Sequence, residues 1–152
     1  MGWLNKLFGR GESKDSARQP FMEHPNGDFD SAIVAMEDAI RRLRQLPNWD
    51  QWIDFGAQGD AGGPEGEDRY EFAEIKMRRD IIDVGDKPLD LAIIMEKAGT
   101  SASSLMKDGE HYSIAAASPR EAAQILDAIF RHHLGIRPFP DEDNDYAVGA
   151  EW

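Results

Sequence analysis

The histidines are the residues of this sequence that could bind a metal ion through nitrogen, and the chain has four of them. His132 and His133 are neighbours near the end of a predicted helix, where consecutive side chains point about 100° apart. They therefore cannot face one metal ion as two histidines spaced four residues apart can. Because positive charge is favourable at the C-terminal end of a helix, we interpret the pair as helix-end stabilisation. The sequence contains no cysteine, which excludes thiolate-bound zinc and iron–sulfur sites.

A second candidate for metal binding is the alternation of Asp141, Asp143 and Asp145, which is typical of the first half of a calcium-binding loop. The pattern then fails. Tyr146 occupies the position of the required glycine, and Trp152 occupies that of the bidentate glutamate. We predict no specific metal site and no cofactor.

Motifs for nucleophilic catalysis or for phosphate binding are not found in the sequence. The glycine-rich stretch 59–68 is negatively charged, and no Lys-Ser or Lys-Thr pair follows its glycines. A pair of catalytic carboxylates would be hard to recognise, because nothing distinguishes two of the 29 acidic residues from the others. We predict a non-enzymatic protein without catalytic residues. The alternative is a small enzyme or ligand-binding domain that uses the carboxylates of the acidic loop.

The charge of the chain is concentrated in two stretches. The net charge is −12, with 17 basic and 29 acidic residues. Residues 49–77 hold eight acidic and two basic residues, a net charge of −6, and residues 136–152 hold five acidic residues and one basic, a net charge of −4. This balance argues against nucleic acid as a partner, since phosphate binding depends on Lys and Arg. It favours attraction to a basic protein.

Both acidic stretches also contain aromatic residues, and a binding surface for a basic protein combines aromatic anchors with steering charge. We expect Trp49, Phe55, Tyr70 and Phe72 to lie in the core. Tyr146 belongs either to a final segment tucked onto the sheet or to a partner contact, and the same choice applies to Trp152. The predicted partner-binding residues are Asp60, Glu65, Glu67, Asp68, Glu71, Asp141, Glu142, Asp143, Asp145, Tyr146 and Trp152.

Helical spacing of apolar residues predicts one helix near each end of the domain. The first begins at Asp30 or Ser31 and ends at Pro47. The second begins at Ser118, whose side chain together with Glu121 forms a predicted capping box, and it ends at Gly135.

The residues between the two helices predict strands over 51–58, 69–76, 79–84, 89–95 and 111–116. The stretch 89–95 is the most hydrophobic and is predicted to be central. This order predicts the α+β class: an antiparallel sheet of about five strands with the N- and C-terminal helices packed on one face.

The N-terminal part of the chain differs in composition from the rest. Residues 1–10 form a short amphipathic segment with one apolar face and two basic residues: Trp3, Leu4, Leu7 and Phe8, with Lys6 and Arg10 elsewhere. We interpret it as a short helix docked on its own domain or on a partner, with a membrane anchor as the alternative. Residues 11–29 are predicted to be a flexible linker, and residues 30–152 a single α+β domain with an acidic C-terminal tail.

No apolar run approaches the roughly 18 residues that a membrane span requires, and the N-terminus lacks the pattern of a secretory signal. We therefore expect a soluble, cytoplasmic protein. The leading hypothesis is an acidic protein-binding module for a basic partner, which is a toxin or a secreted effector. One form is an immunity or antitoxin-like protein. In element order and acidity over residues 30–135, the chain also resembles the small acidic α+β chaperones of secretion systems.

Overall fold

The structure is a computed structural model that describes residues 29–47, 49–62, 70–140 and 144–151. Within these residues the chain forms three helices and six strands. The helices are α1 (Ala32–Gln45), α2 (Leu91–Ala98) and α3 (Pro119–His132). The strands are β1 (Ile53–Asp60), β2 (Tyr70–Arg78), β3 (Ile81–Asp83), β4 (Met106–Asp108), β5 (His111–Ser113) and β6 (Ala147–Glu151).

The strands form one sheet in the order β4-β5-β3-β2-β1-β6, and all neighbouring pairs are antiparallel. The predicted α+β class is confirmed, with six strands where about five were expected. Residues opposite each other in an antiparallel pair share a face of the sheet. The register places Phe55 opposite Ile75 and Ala150, and all three side chains are fully buried. This face packs against the helices and forms one core with them.

Local sequence signals define the ends of the two predicted helices. The Ser118 hydroxyl accepts a hydrogen bond from the Glu121 backbone N–H at 3.1 Å, and the Glu121 carboxylate accepts one from the Ser118 N–H at 3.0 Å. The Ser31 hydroxyl accepts from the Val34 N–H at 3.2 Å, and α1 ends before Pro47. Such caps contribute about 1 kcal/mol each, and the burial of the apolar faces contributes the larger share.

The prediction of a central strand over residues 89–95 is wrong, because this stretch forms α2. The Asp90 carboxylate caps the helix by accepting a hydrogen bond from the Ile93 N–H at 3.3 Å. Ile94 and Ala98, four residues apart, are the buried side chains of the helix. Gly99 ends it with a φ of 70°, a conformation that favours glycine. A short apolar run does not distinguish a strand from a buried helix, and here the cap and the C-terminal glycine decide for the helix.

Two strands lie outside the predicted set. β4 pairs with β5 across a turn at Gly109. β6 pairs with β1 at the edge of the sheet, with Val148 and Ala150 in the core. The end of the chain was predicted as an acidic tail, but residues 147–151 are an integral strand.

The predicted N-terminal segment 1–10 and the first 18 residues of the linker, 11–28, lie outside the described residues. The division of the chain into segment, linker and domain stays a prediction. None of the described helices is long and apolar enough to cross a membrane.

Candidate functional site

The sheet face opposite the core is the first part of the candidate site. We call it the open face, and on the three strands at the β6 edge it consists of Asp54, Gly56, Gln58, Asp60, Tyr70, Phe72, Glu74, Lys76, Arg78, Ala147, Gly149 and Glu151. The described helices bury most of their apolar side chains in the core on the other face. Among the described residues, the β2 part of this face is exposed and remains for an interaction, whereas Gly56, Gln58, Gly149 and Glu151 are buried.

Tyr70 and Phe72 lie next to each other on the open face, and each is 52% exposed. The expectation that they belong to the core is wrong. β2 is apolar on both sides, and the structure turns Ile75 and Met77 inward, together with the smaller Ala73. Trp49 and Phe55 are buried as expected. Two half-exposed aromatic rings side by side are typical of an interaction surface.

The two acidic stretches of the sequence meet at one end of the sheet. The Asp60 backbone N–H donates to the Arg137 carbonyl oxygen at 2.9 Å. The Arg137 N–H donates to the Glu71 carboxylate at 2.8 Å. The ring centroids of Tyr70 and Phe139 are 6.0 Å apart in a T-shaped contact. We call this region the acidic corner and define it by Asp60, Glu71, Arg137, Phe139 and Asp145.

Contacts inside the acidic corner use some of the predicted partner-binding carboxylates. The Asp60 carboxylate accepts a hydrogen bond from the Gly62 N–H at 2.9 Å. The Glu71 carboxylate, besides its hydrogen bond, lies 3.6 Å from Nε of Arg137. The Arg137 guanidinium also donates to the Ala61 carbonyl oxygen. Asp60 and Glu71 thus hold the corner together while both remain partly exposed.

Asp145 and Tyr146 belong to a network inside the fold. Tyr146 is fully buried, and its hydroxyl donates to Asp127 at 2.9 Å. One oxygen of Asp145 accepts from the Ala32 N–H at the start of α1, at 2.7 Å, and the other accepts from Arg131 at 3.2 Å. Burial, followed by the charge of Asp127, raises the pKa of Tyr146 well above its usual value. Of the two interpretations of Tyr146, the structure therefore supports the final segment packed onto the sheet. The Tyr146 side chain is not accessible to a partner.

No protein-family model matches this chain, and neither a curated protein nor a solved structure matches it significantly. The function is therefore argued from the site.

Seven of the predicted partner-binding residues lie outside the described residues: Glu65, Glu67, Asp68, Asp141, Glu142, Asp143 and Trp152. Six of the seven belong to two segments, residues 63–69 and 141–143, which we call the acidic segments. The described residues that flank these segments are at the acidic corner. Gly62 lies against the Arg137 guanidinium, Tyr70 contacts Phe139, and Phe139 is bridged to Asp145. The chain thus enters and leaves both acidic segments at the end of the open face where Tyr70 and Phe72 are exposed.

Among the described residues, the remaining carboxylates and histidines show no arrangement for metal chemistry. Over the described ranges, no three His, Asp or Glu side chains are grouped so that they could hold a metal ion. The Glu121 carboxylate has a lowered pKa, and its first cause is the hydrogen bond from the Ser118 backbone in the helix cap. This shift belongs to the folding of α3.

Tyr70 and Phe72 are the residues that sequence reasoning missed as members of the site. The available signal was their position between carboxylates, in a strand whose other face is also apolar. A strand with two apolar faces can turn either one to the core, so the pattern alone cannot select the exposed one.

Proposed function

We propose that this protein is a non-enzymatic binding module that engages a basic protein through the open face and the acidic corner. The observation that carries the proposal is the exposure of Tyr70 and Phe72, 52% each, at the end of the sheet where both acidic segments are attached. Aromatic side chains anchor protein interfaces because they bury a large area at a small cost in conformational entropy. The negative charge of the two acidic stretches would speed and orient the approach of a basic partner.

Two biological forms agree with such a surface. An immunity or antitoxin-like protein would cover the basic active site of a folded toxin. A secretion chaperone would hold a segment of an effector that is not yet folded. In both, the aromatic pair enters a pocket or covers an apolar patch of the partner, and the carboxylates surround this contact.

The test is co-purification from the native host at low and high salt, with mass spectrometry of the bound protein. We expect a basic partner that is recovered at low salt and weakened at high salt, since screening reduces attraction between exposed charges. The variant Tyr70→Ser/Phe72→Ser should lose this partner. Both side chains are half exposed, so the fold should be little affected, which a thermal unfolding curve would check.

Ile93→Ser provides the matched control. Ile93 is another exposed apolar residue, 45% accessible, and it lies on α2 away from the open face. This variant should retain the partner. Recovery of no partner at low salt, or equal recovery with the aromatic pair removed, would contradict the proposed function.

A further inference from the structure

The open face, continued across β3, β5 and β4, carries four of the five large apolar side chains that are exposed among the described residues: Trp52, Tyr70, Phe72 and Met106. Trp52 lies at the end opposite to the Tyr70–Phe72 pair. Its ring centroid is 5.6 Å from that of His111, in a T-shaped contact. His111 faces away from the core, because side chains alternate along a strand and the adjacent Tyr112 is buried. The face therefore has an aromatic group at each end.

The strand β2 presents the accessible part of this face in a regular order. Its open-face side chains are all exposed, and from one end to the other they are Tyr70, Phe72, Glu74, Lys76 and Arg78. The strand thus shows two aromatic residues, then one acidic residue, then two basic residues. The open-face residues of β1 and β6 are buried or partly buried, so a contact with another molecule would be made over β2 and the strands beyond it.

The order of side chains on β2 is complementary to itself when a second copy approaches face to face. Consider a two-fold axis between the two sheets, perpendicular to the strands and level with Ile75, so that the two β2 strands lie antiparallel over each other. Position 74 then faces position 76 of the other copy, and position 72 faces position 78. Glu74 would meet Lys76 twice across this interface. The Phe72 ring would meet the Arg78 guanidinium twice, a pairing that is favourable as a cation–π contact.

The charges on β2 are available for such contacts. Arg78 Nη2 and Arg79 Nε lie 3.2 Å and 3.5 Å from the same oxygen of Asp50, so this carboxylate compensates only one of the two guanidinium groups. Among the described residues, no ion pair includes Glu74 or Lys76. Exposed charges of both signs in a fixed order set the register of an interface more than they set its affinity.

The length of β2 agrees with the size of a stable interface. The strand has nine residues and is therefore about 30 Å long, at about 3.3 Å per residue. An interface of the usual size buries about 800 Å² on each partner, which is a patch about 28 Å across. Contact along the whole strand would cover the aromatic groups at both of its ends. A shift along the strand would leave one of these groups exposed and would bring like charges together.

We propose that a second copy of this chain binds the open face, with the two β2 strands antiparallel over each other. Tyr70 and Phe72 of each copy lie over the end of the other copy that carries Trp52 and Arg78. The homodimer does not depend on the function proposed above. The competition between the second copy and a basic partner rests on that function, because both use the same aromatic pair.

The association state of the full chain is measured by analytical ultracentrifugation. The salt concentration should be about 0.15 M, where the Debye length of about 8 Å reduces the repulsion between two chains of net charge −12. The unmodified chain should form a reversible dimer with a Kd below about 100 µM. A chain that remains monomeric at about 100 µM overturns the proposal.

Charge reversal tests the register of the interface. Glu74→Lys and Lys76→Glu each bring like charges together across the two-fold axis, so each should weaken the dimer by about tenfold or more. An equimolar mixture of the two variants has opposite charges at both contacts and should dimerise about as well as the unmodified chain. This recovery requires position 74 to face position 76. A mixture that dimerises no better than the separate variants overturns the proposed arrangement.

Glu96→Lys provides the matched control. Glu96 is exposed on α2, away from the open face, and this substitution changes the net charge by the same amount as Glu74→Lys. The variant should dimerise as the unmodified chain does. Equal weakening by both substitutions would be an effect of total charge and would overturn the proposal. Thermal unfolding checks that each variant remains folded, which is expected because all three side chains are exposed.

The homodimer and the proposed function can fail separately. Recovery of a basic partner by a chain that is monomeric at about 100 µM overturns the homodimer and leaves the proposed function in place. A dimer that responds to charge reversal as expected, from a chain that recovers no basic partner at low salt, supports the homodimer while the proposed function fails.

Discussion

Tyr146 shows how much one buried polar residue contributes to this fold. Its hydroxyl donates to Asp127, its ring contacts Phe130 with centroids 5.7 Å apart, and the Arg131 guanidinium lies 5.1 Å from its ring centroid. Asp145 continues the network to the first turn of α1. The pair therefore connects β6 to both long helices.

Tyr146→Phe should lower the free energy of unfolding by about 1–2 kcal/mol. The ring remains in place, and Asp127 keeps its 2.9 Å hydrogen bond from Arg131, while the buried hydrogen bond from the Tyr146 hydroxyl to Asp127 is lost. Urea denaturation measures the difference. Tyr70→Phe removes an exposed hydroxyl and should change stability by less than about 0.5 kcal/mol. Equal effects of the two substitutions would argue against this role of the Tyr146 hydroxyl.

The two histidines at the end of α3 differ from each other in environment. His132 is the last residue of the helix and is exposed, whereas His133 is partly buried. Burial, followed by the nearby charge of Lys87, lowers the pKa of His133. The positively charged form that helix-end stabilisation requires is therefore less favourable for His133 in the folded protein than in the unfolded chain.

His133 should make the stability depend on pH in the acidic range. Its folded-state pKa lies below the unfolded value, so the unfolded chain binds a proton first as the pH falls. The stabilisation is complete above the unfolded pKa of about 6.5 and is lost as the pH falls through the lowered folded-state pKa.

In His133→Asn, the free energy of unfolding should decrease less between about pH 7.5 and pH 5 than it does in the unmodified protein. Chemical denaturation at a series of pH values measures this. His132→Asn is the control, and the expected result is that it keeps more of the original pH dependence than His133→Asn does. If the free energy of unfolding of the two variants depended on pH in the same way, His133 would not be the source of the pH dependence.

At the level of elements, the contact of β1 with the segment after α3 depends on the absence of a side chain at Gly59. A Cβ atom at Gly59 would lie 2.3 Å from the Arg137 carbonyl oxygen, which is closer than atoms can approach. The neighbouring Asp60 N–H donates to the same oxygen. The acidic corner therefore requires the backbone of Gly59 to lie in direct contact with the backbone of Arg137.

Gly59→Ala should destabilise the protein by about 1–3 kcal/mol, because the obstacle is backbone and cannot rotate away. Thermal unfolding measures this effect. Gly109→Ala is an instructive comparison. Its φ of 62° strains an alanine, but no atom lies within 4 Å of the added carbon. If the clash with the Arg137 backbone distorts the acidic corner, Gly59→Ala should also weaken the proposed binding of a partner. Gly109→Ala should leave that binding unchanged.

The helices and strands also show which sequence signals were sufficient to predict an element. α1 and α3 combine a side-chain cap, an apolar face and a stop signal, all within the helix and its immediate flanks. α2 has the same kinds of signal in Asp90 and Gly99, but its eight residues are too few for the helical period to stand out from a hydrophobic run. β6 is short and contains glycine, so its strand character depends on pairing with β1.

At the scale of the whole molecule, one face of the sheet is packed against the helices and the other face carries exposed aromatic residues. The helices and one sheet face form a continuous core. The opposite face has Tyr70 and Phe72 exposed at one end. Residues from the two acidic stretches, which are far apart in the chain, contact each other at the same corner. This separation is the physical basis of the proposed function.

The sequence by itself determined the fold class, the two capped helices and the concentration of negative charge. These depend on composition and on contacts between residues a few positions apart. The tertiary structure decided which face of β2 is exposed, that Tyr146 is buried, and that the two acidic stretches meet. Those features depend on pairing between distant segments, such as Gln58 with Ala147 and Asp60 with Arg137. A strand with two apolar faces, or an aromatic residue near a chain end, acquires its environment when those segments come together.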